Sequence, residues 1–205
     1  MESTLLQGLA RYLDDGQIGR LAVPRVGFAG CGGIGSNAAF MLARSGVRRF
    51  LLVDDDAVDA SNLNRQQFMP EDVGKPKAEA LKSLLLRLDP GLDIDARAER
   101  MTELSAGRFI GCADIWVEAF DAPECKRFLV EQAMLAGKRV VSASGLGGWG
   151  GPPMRRRELG LLTIVGDFTT DVAEHPPFAP RVTEAAALMA DTVLEWILGK
   201  TDGQR

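Results

Sequence analysis

The run "RVGFAGCGGIGSNAAF", residues 25–40, limits this chain more than any other stretch. A short apolar segment meets glycines at 30, 32, 33 and 35 and then passes into residues with helical spacing, which reads as strand, tight turn and helix. Gly30, Gly32 and Gly35 stand in G-x-G-x-x-G register, with Gly33 as an extra glycine. Such glycines permit the turn and let phosphate oxygens approach the amides of a helix N-terminus, where the dipole favours negative charge. Asp54 follows 24 residues after Gly30, at the expected end of the next strand, where a carboxylate accepts hydrogen bonds from ribose hydroxyls. Close helix-to-strand packing alone would also use such glycines, but strand, helix and acidic residue placed together point to a nucleotide.

Strand and helix patterns alternate around this unit. Leu5, Leu6, Leu9 and Leu13 predict an amphipathic helix over residues 2–15, ended by Asp14, Asp15 and Gly16. A helix from Gly35 stops at Gly46, a strand "RRFLLVD" ends at Asp54, and "KPKAEALKSLLLRLDP" is a helix opened by Pro76 and closed by Pro90. Then come a strand in "LDIDARA", a buried strand in "ADIWVEAF" leading to Asp121, a helix in "PECKRFLVEQAMLAG" and a strand in "KRVVSAS". This spacing predicts an α/β, Rossmann-like, mostly parallel sheet flanked by helices. A glycine-rich loop, "GLGGWGGPP", separates it from a C-terminal strand-loop-helix extension made of "LLTIVGD", "EHPPFAPR" and a helix from about 182 to 198. The expectation is a single domain over 1–205, with a nucleotide-binding core at about 25–145 and the loop and extension at about 145–205.

Composition narrows the function classes. Against 24 basic residues stand 28 acidic ones, and the net charge of -4 argues against broad binding to nucleic acid or to an anionic membrane. Cys31, Cys112 and Cys125 form no CxxC pair, so neither a disulfide framework nor a four-thiolate zinc site is expected. The N-terminal "MESTLLQGLARYLDDG" lacks a signal-peptide core, and no run of about 20 apolar residues is present to span a bilayer. These features predict a cytoplasmic protein.

Beyond Asp54 the chain reads "DDDAVDASNLNRQ". An enzyme that transfers hydride leaves the pyrophosphate intact and needs no cationic side chains aimed at it. One that breaks the bond between α- and β-phosphates must meet the charge that builds there, with Arg or Lys and a divalent metal. Asn62, Arg65 and Lys77, between the second strand and the next helix, fall on the ligand-binding side of a parallel sheet and supply a neutral donor and two cations. Asp121 ends a later strand on the same side, where a carboxylate can hold Mg²⁺.

The pieces "GCGGIGSN", "VDDDAVDASNLNRQ", "GKPKAEAL" and "VEAFD", in this order from about residue 25 to 125, resemble the ubiquitin-activating superfamily, specifically its small ThiF-type members. "SASGLGGWG", "VGDF" and "PPFAPRVTEAAALMAD" are similar to the short ThiF-like branch, so the resemblance covers nearly the whole chain. It implies ATP- and Mg²⁺-dependent adenylation of the C-terminal glycine carboxylate of a ThiS-like sulfur carrier with a diglycine end, in thiamine thiazole synthesis, by a homodimer. It also implies residue roles: Gly30, Gly32, Gly33 and Gly35 on the phosphates, Asp54 on the ribose with help from Asp56, and Asn62, Arg65 and Lys77 on the phosphates. Asp121 would bind magnesium and be needed for adenylation. An arginine from the neighbouring subunit, within an "RYxRQ" pattern, corresponds to Arg11 in "RYLDD", with Arg20 and Arg25 as competitors. The two CxxC pairs of the zinc-holding members are missing, as is a cysteine in the crossover loop, so the adenylate is the expected end product and no zinc is expected.

Other residues carry blander expectations. Cys31, Cys112 and Cys125 read as packing residues, His175 as a surface residue in a proline-rich loop, and Arg155, Arg156 and Arg157 as a solvated loop run with partner docking as the sharper reading. Trp149 either meets an incoming tail or anchors its loop, and the closing helix with Leu188, Val193, Trp196 and Ile197 covers the core or a dimer face. A nicotinamide-dependent oxidoreductase rests on the glycine motif and Asp54 alone, and a non-catalytic nucleotide-binding protein is the remaining alternative.

Overall fold

The register of three neighbouring strands decides where a ligand can sit. In a computed structural model that describes residues 3–200, seven strands form one sheet: β1 (Arg25–Ala29), β2 (Arg49–Val53), β3 (Asp93–Arg97), β4 (Ile115–Glu118), β5 (Arg139–Ala143), β6 (Arg155–Leu159) and β7 (Leu162–Gly166). Their order is β3-β2-β1-β4-β5-β7-β6, parallel throughout apart from β6 against β7. Ala29 lies beside both Val53 and Glu118, so β1, β2 and β4 end level. The strand order reverses between β1 and β4, and open α/β sheets bind ligands outside the carboxyl ends of strands at such a switch point.

The helices are α1 (Thr4–Leu9), α2 (Asp15–Ala22), α3 (Gly33–Arg44), α4 (Lys77–Leu88), α5 (Ala106–Ile110), α6 (Pro123–Leu135) and α7 (Ala179–Leu198). Period-two alternation sends Phe28, Phe50 and Leu52 to one face of the sheet, under α3, α4 and α7. Leu51, Val53 and Trp116 face the other way, under α5 and α6. Both faces are covered, which is why these strands read as near-continuous apolar runs. Gly27 makes room for the Trp116 ring, since a Cβ there would lie 2.8 Å from it. The architecture is the Rossmann-like sheet that the sequence predicts, and the closing helix covers the core, with Val193 buried and Trp196 packed against it.

Three local expectations need correction. The helix expected over residues 2–15, whose first residue lies outside the described ones, is two helices. Asp14 accepts from the Gln17 amide at 2.7 Å while the Gln17 side chain accepts from the Asp14 amide, so the aspartates open α2 instead of closing a longer helix. Short α5 went unpredicted. Arg155, Arg156 and Arg157 lie in β6, joined to β7 by a two-residue turn in which Gly160 takes φ +65°. Charges suit a strand at the sheet edge, where they discourage pairing with other chains.

Candidate functional site

The glycine loop is built at the level ends of β1 and β4. Gly30 has φ +99°, and a Cβ there would stand 2.5 Å from the Ala119 carbonyl oxygen. A Cβ at Gly35 would run into the Gly30 carbonyl, and one at Gly33 would come within 2.9 Å of Val182 Cγ1. Gly32 differs, because a Cβ there would meet only the Gln66 amide nitrogen, at 3.5 Å. It is the N-cap of α3, and no side chain caps that helix. The amides of the first turn, which a helix cannot satisfy itself, are thus left as donors beside the hollows that Gly32 and Gly33 line.

A hollow of about 220 Å³ opens outside β1, β2 and β4, lined among others by Gly30, Gly32, Asp54, Asp56, Lys77 and Asp121. Asp54 accepts from the amides of Cys31 at 2.6 Å and Asp56 at 2.8 Å. Burial nevertheless pushes its carboxyl above the usual carboxylate range, against these amides and the Lys77 charge. Lys77, buried in the first turn of α4, places Nζ 2.6 Å from Asp56 Oδ2. Cys31 is fully buried, and burial pushes its thiol up, in keeping with a packing role. Cys125, expected in packing, is half-buried and lines this hollow; Cys112 is exposed, its Sγ 3.0 Å from the Arg108 carbonyl oxygen.

A second hollow, about 640 Å³, shares Ala119, Phe120 and Asp121 with the first. Arg65 lines it, donating to the Ser61 carbonyl at 3.1 Å and to Asn64 Oδ1 at 2.8 Å. Asn37 of α3 donates to the carbonyls of Gly33 and Arg65 and accepts from the Gln67 side chain at 2.7 Å, stapling the Arg65 segment to the glycine loop. Asn62 lines neither hollow: its Oδ1 accepts from the Asp59 amide at 3.1 Å in a short 3₁₀ turn, Ala60–Asn62. Arg11 is exposed just after α1 and Arg20 is exposed on α2, while Arg25 pairs with Asp93 at 2.6 Å; all three stand away from the hollows.

Residues that sequence reasoning missed hold the junction. Glu118, wholly buried at the end of β4, accepts from the Phe120 amide at 2.8 Å, from Ser142 Oγ at 2.5 Å and from Lys126 Nζ at 3.1 Å. It fixes the turn that presents exposed Asp121 to both hollows, and Lys126 itself lines the larger one. The signal was the single charge inside the apolar run "IWVEAF". Exposed Trp149 packs edge to face on Phe178, ring centres 5.5 Å apart, and His175 is exposed as expected.

The donors fit a nucleotide with a divalent cation. Asp54, Asp55 and Asp56 bring carboxylate oxygens within 4.8 Å of one another, but Asp54 already serves two amides and Asp56 serves Lys77. Asp121, exposed at the junction, is the carboxylate better placed to take a hard cation.

No described helix is long and apolar enough to cross a membrane. Adenylyltransferase and sulfurtransferase MOCS3 of Bos taurus is 34% identical over 172 residues, 82% of this chain and 36% of that protein. The SAMP-activating enzyme E1 of Haloferax volcanii is 34% identical over 128 residues, 59% of this chain and 47% of that protein. The chain therefore spans less than half the length of either relative. The E. coli tRNA N6-threonylcarbamoyladenosine dehydratase TcdA, solved in complex with ATP, superposes with a TM-score of 0.87 over 97% of this chain and 96% of its own; at 19% identity this speaks for the fold alone. E. coli MccB with ATP superposes with a TM-score of 0.72 at 26% identity, over 88% of this chain and 57% of its own. The model of the ThiF family matches residues 5–204, and the chain belongs to that family.

Proposed function

We propose that this chain is an adenylyltransferase: it joins AMP to the C-terminal glycine carboxylate of a small ubiquitin-like sulfur carrier and releases pyrophosphate. The observation that carries the proposal is the meeting of two hollows at Asp121, one with Asp54 and Lys77, the other with Arg65 and Lys126. In this reading the ribose hydroxyls donate to Asp54 in the smaller hollow, and the phosphates cross the glycine loop toward the N-terminus of α3. The carrier tail enters the larger hollow. Its carboxylate needs no general base, being ionised at neutral pH. It attacks the α-phosphorus, the bond to the bridging oxygen breaks, and that oxygen leaves with the pyrophosphate. Lys77 and Arg65 meet the charge that develops, and the Glu118-held turn keeps Asp121 at the junction. Mg²⁺, held by Asp121, would add positive charge on the phosphate oxygens.

The relatives named as an adenylyltransferase and a SAMP-activating enzyme support this class of reaction, and the family weighs against hydride transfer. A ThiS-like carrier with a diglycine end, serving thiazole synthesis in the cytoplasm, is the substrate we favour, since two glycines pass a narrow opening that side chains would block. We further propose that residues 1–205 act as one domain in a homodimer, to which Arg11 contributes across the interface. The test is ATP-pyrophosphate exchange with labelled pyrophosphate and Mg²⁺, with and without a diglycine-ended carrier. Carrier-dependent exchange is expected; ATP binding with no exchange on any carrier would sink the proposal.

A further inference from the structure

The far wall of the larger hollow is held by a buried ion pair. Asp167, its side chain fully buried just after β7, pairs with Arg181 in the first turn of α7. Arg181 also donates to the Pro152 carbonyl at 3.1 Å, and the Gly151 backbone lies against its guanidinium so closely that a Cβ there would come within 3.1 Å. The Asp167 carboxylate accepts from the amides of Thr169 at 2.7 Å and Thr170 at 2.8 Å, and from Thr170 Oγ1 at 2.7 Å. Thr170 Oγ1 in turn accepts from the Gly147 amide at 3.0 Å. One pair thus ties the glycine-rich loop, the turn after β7 and the start of α7 to each other. Phe168, within that turn, takes a left-handed φ of +62°, a conformation that persists only where its surroundings over-determine it. The Arg157 guanidinium stacks on its ring at 3.9 Å.

What this network shapes is selective. Residues 144–146 and 168–172 line the larger hollow, and among the described residues neither segment lines the smaller one with Asp54 and Lys77. A buried ion pair adds little net stability compared with an apolar pair of the same volume, so its worth lies in the geometry it fixes. We propose that Arg181 and Asp167 are positioning residues for the carboxylate substrate, holding the wall along which its extended tail lies while leaving the nucleotide's anchorage untouched. This rests on the adenylation reading.

The test uses the full chain carrying Arg181→Lys or Thr170→Val. Lysine keeps the charge but lacks the fork that reaches Asp167 and Pro152 together, and valine removes the hydroxyl that receives the Gly147 amide. Hydrogen exchange at the Gly147 and Thr169 amides should quicken roughly tenfold in both variants, while the Cys31 and Asp56 amides on Asp54 keep their rates. In ATP-pyrophosphate exchange, the half-saturating concentration of a diglycine-ended ubiquitin-fold carrier should rise roughly tenfold, with turnover at saturation and ATP affinity within about twofold. Unchanged exchange at Gly147 and Thr169, an unchanged carrier requirement, or an equal loss of ATP affinity would each overturn the assignment. A wild-type chain that shows no pyrophosphate exchange with any carrier would remove adenylation and the substrate role with it, and the amide exchange would still report whether the pair holds the wall.

Discussion

The ammonium of Lys77 lies 2.6 Å from the Asp56 carboxylate, a cation only 8% exposed against an anion 64% exposed. An entering phosphate can therefore replace Asp56 as the partner of Lys77 while the displaced carboxylate turns to water. The expected outcome is asymmetric. Lys77→Met should lower kcat/KM for pyrophosphate exchange by about 100-fold or more, the scale of losing a group that meets developing charge. Asp56→Asn should cost less than about tenfold. Equal losses in the two variants would show that Asp56 does more than keep Lys77 charged.

Asp54 gives a pH signature. Burial raises its carboxyl above the usual range, so the folded chain binds this proton more readily than the unfolded one. Stability contributed at this site falls as pH rises from the ordinary carboxylate range through the raised value, because ionising Asp54 is harder in the fold. In the proposed reading ligand binding runs the other way, since ribose hydroxyls donating to Asp54 would need the anion as acceptor. Adenosine, which has no phosphate to titrate, should bind more weakly as pH falls from 7 toward the raised value in the wild type. In Asp54→Ala its binding should be weak and independent of pH, as calorimetry would show.

Asp167 is the opposite case. Burial works to raise its carboxyl, yet the Thr170 hydroxyl and the amides of Thr170 and Thr169 hold it well below the usual carboxylate range. Its stabilisation is therefore complete above about pH 4 and is lost as pH falls through the depressed value. Asp167→Asn strands the buried Arg181 charge, and urea unfolding at pH 7 should show a loss of about 3–5 kcal/mol, the scale for breaking a buried pair. The gap between wild type and variant should shrink as pH is lowered below about 4. A gap that stays constant to low pH would show that Asp167 acts through shape and not charge.

The glycine loop, Asp54 and the central strands were legible because each depends on a short window: a period of two or 3.6 residues, or a fixed spacing after a strand. Asn62 shows the limit of spacing. It stands near Arg65 in the chain, yet Asp59, Ser61 and Asn62 satisfy one another locally, and the side chain turns to the backbone. The Asp14 and Asp15 pair suited either end of a helix, and only Gln17, completing a capping box, decides between them. Glu118 with Ser142, and Asp167 with Arg181, were illegible because each pair joins separate elements, 24 and 14 residues apart, and a buried polar residue declares its role only through a partner.

Gly32 and Gly35 belong to one motif but answer to different demands. A Cβ on Gly35 would enter the Gly30 carbonyl, and backbone there cannot yield without disturbing the turn from β1 into α3. Gly35→Ala should therefore unfold the chain at lower urea, by roughly 1–3 kcal/mol, the range for overpacking a close contact. At Gly32 a Cβ has ordinary space, meeting only the Gln66 side chain at 3.5 Å, so Gly32→Ala should leave stability within about 0.5 kcal/mol. Yet Gly32 lines the smaller hollow at the N-cap of α3, where phosphate oxygens would approach the backbone. ATP affinity in Gly32→Ala should fall by about tenfold, equivalent to about 1.4 kcal/mol. Urea titration and calorimetry on the same two variants separate the glycine that serves the fold from the one that serves the ligand. Normal ATP affinity in a stable Gly32→Ala chain would move the phosphates away from this loop.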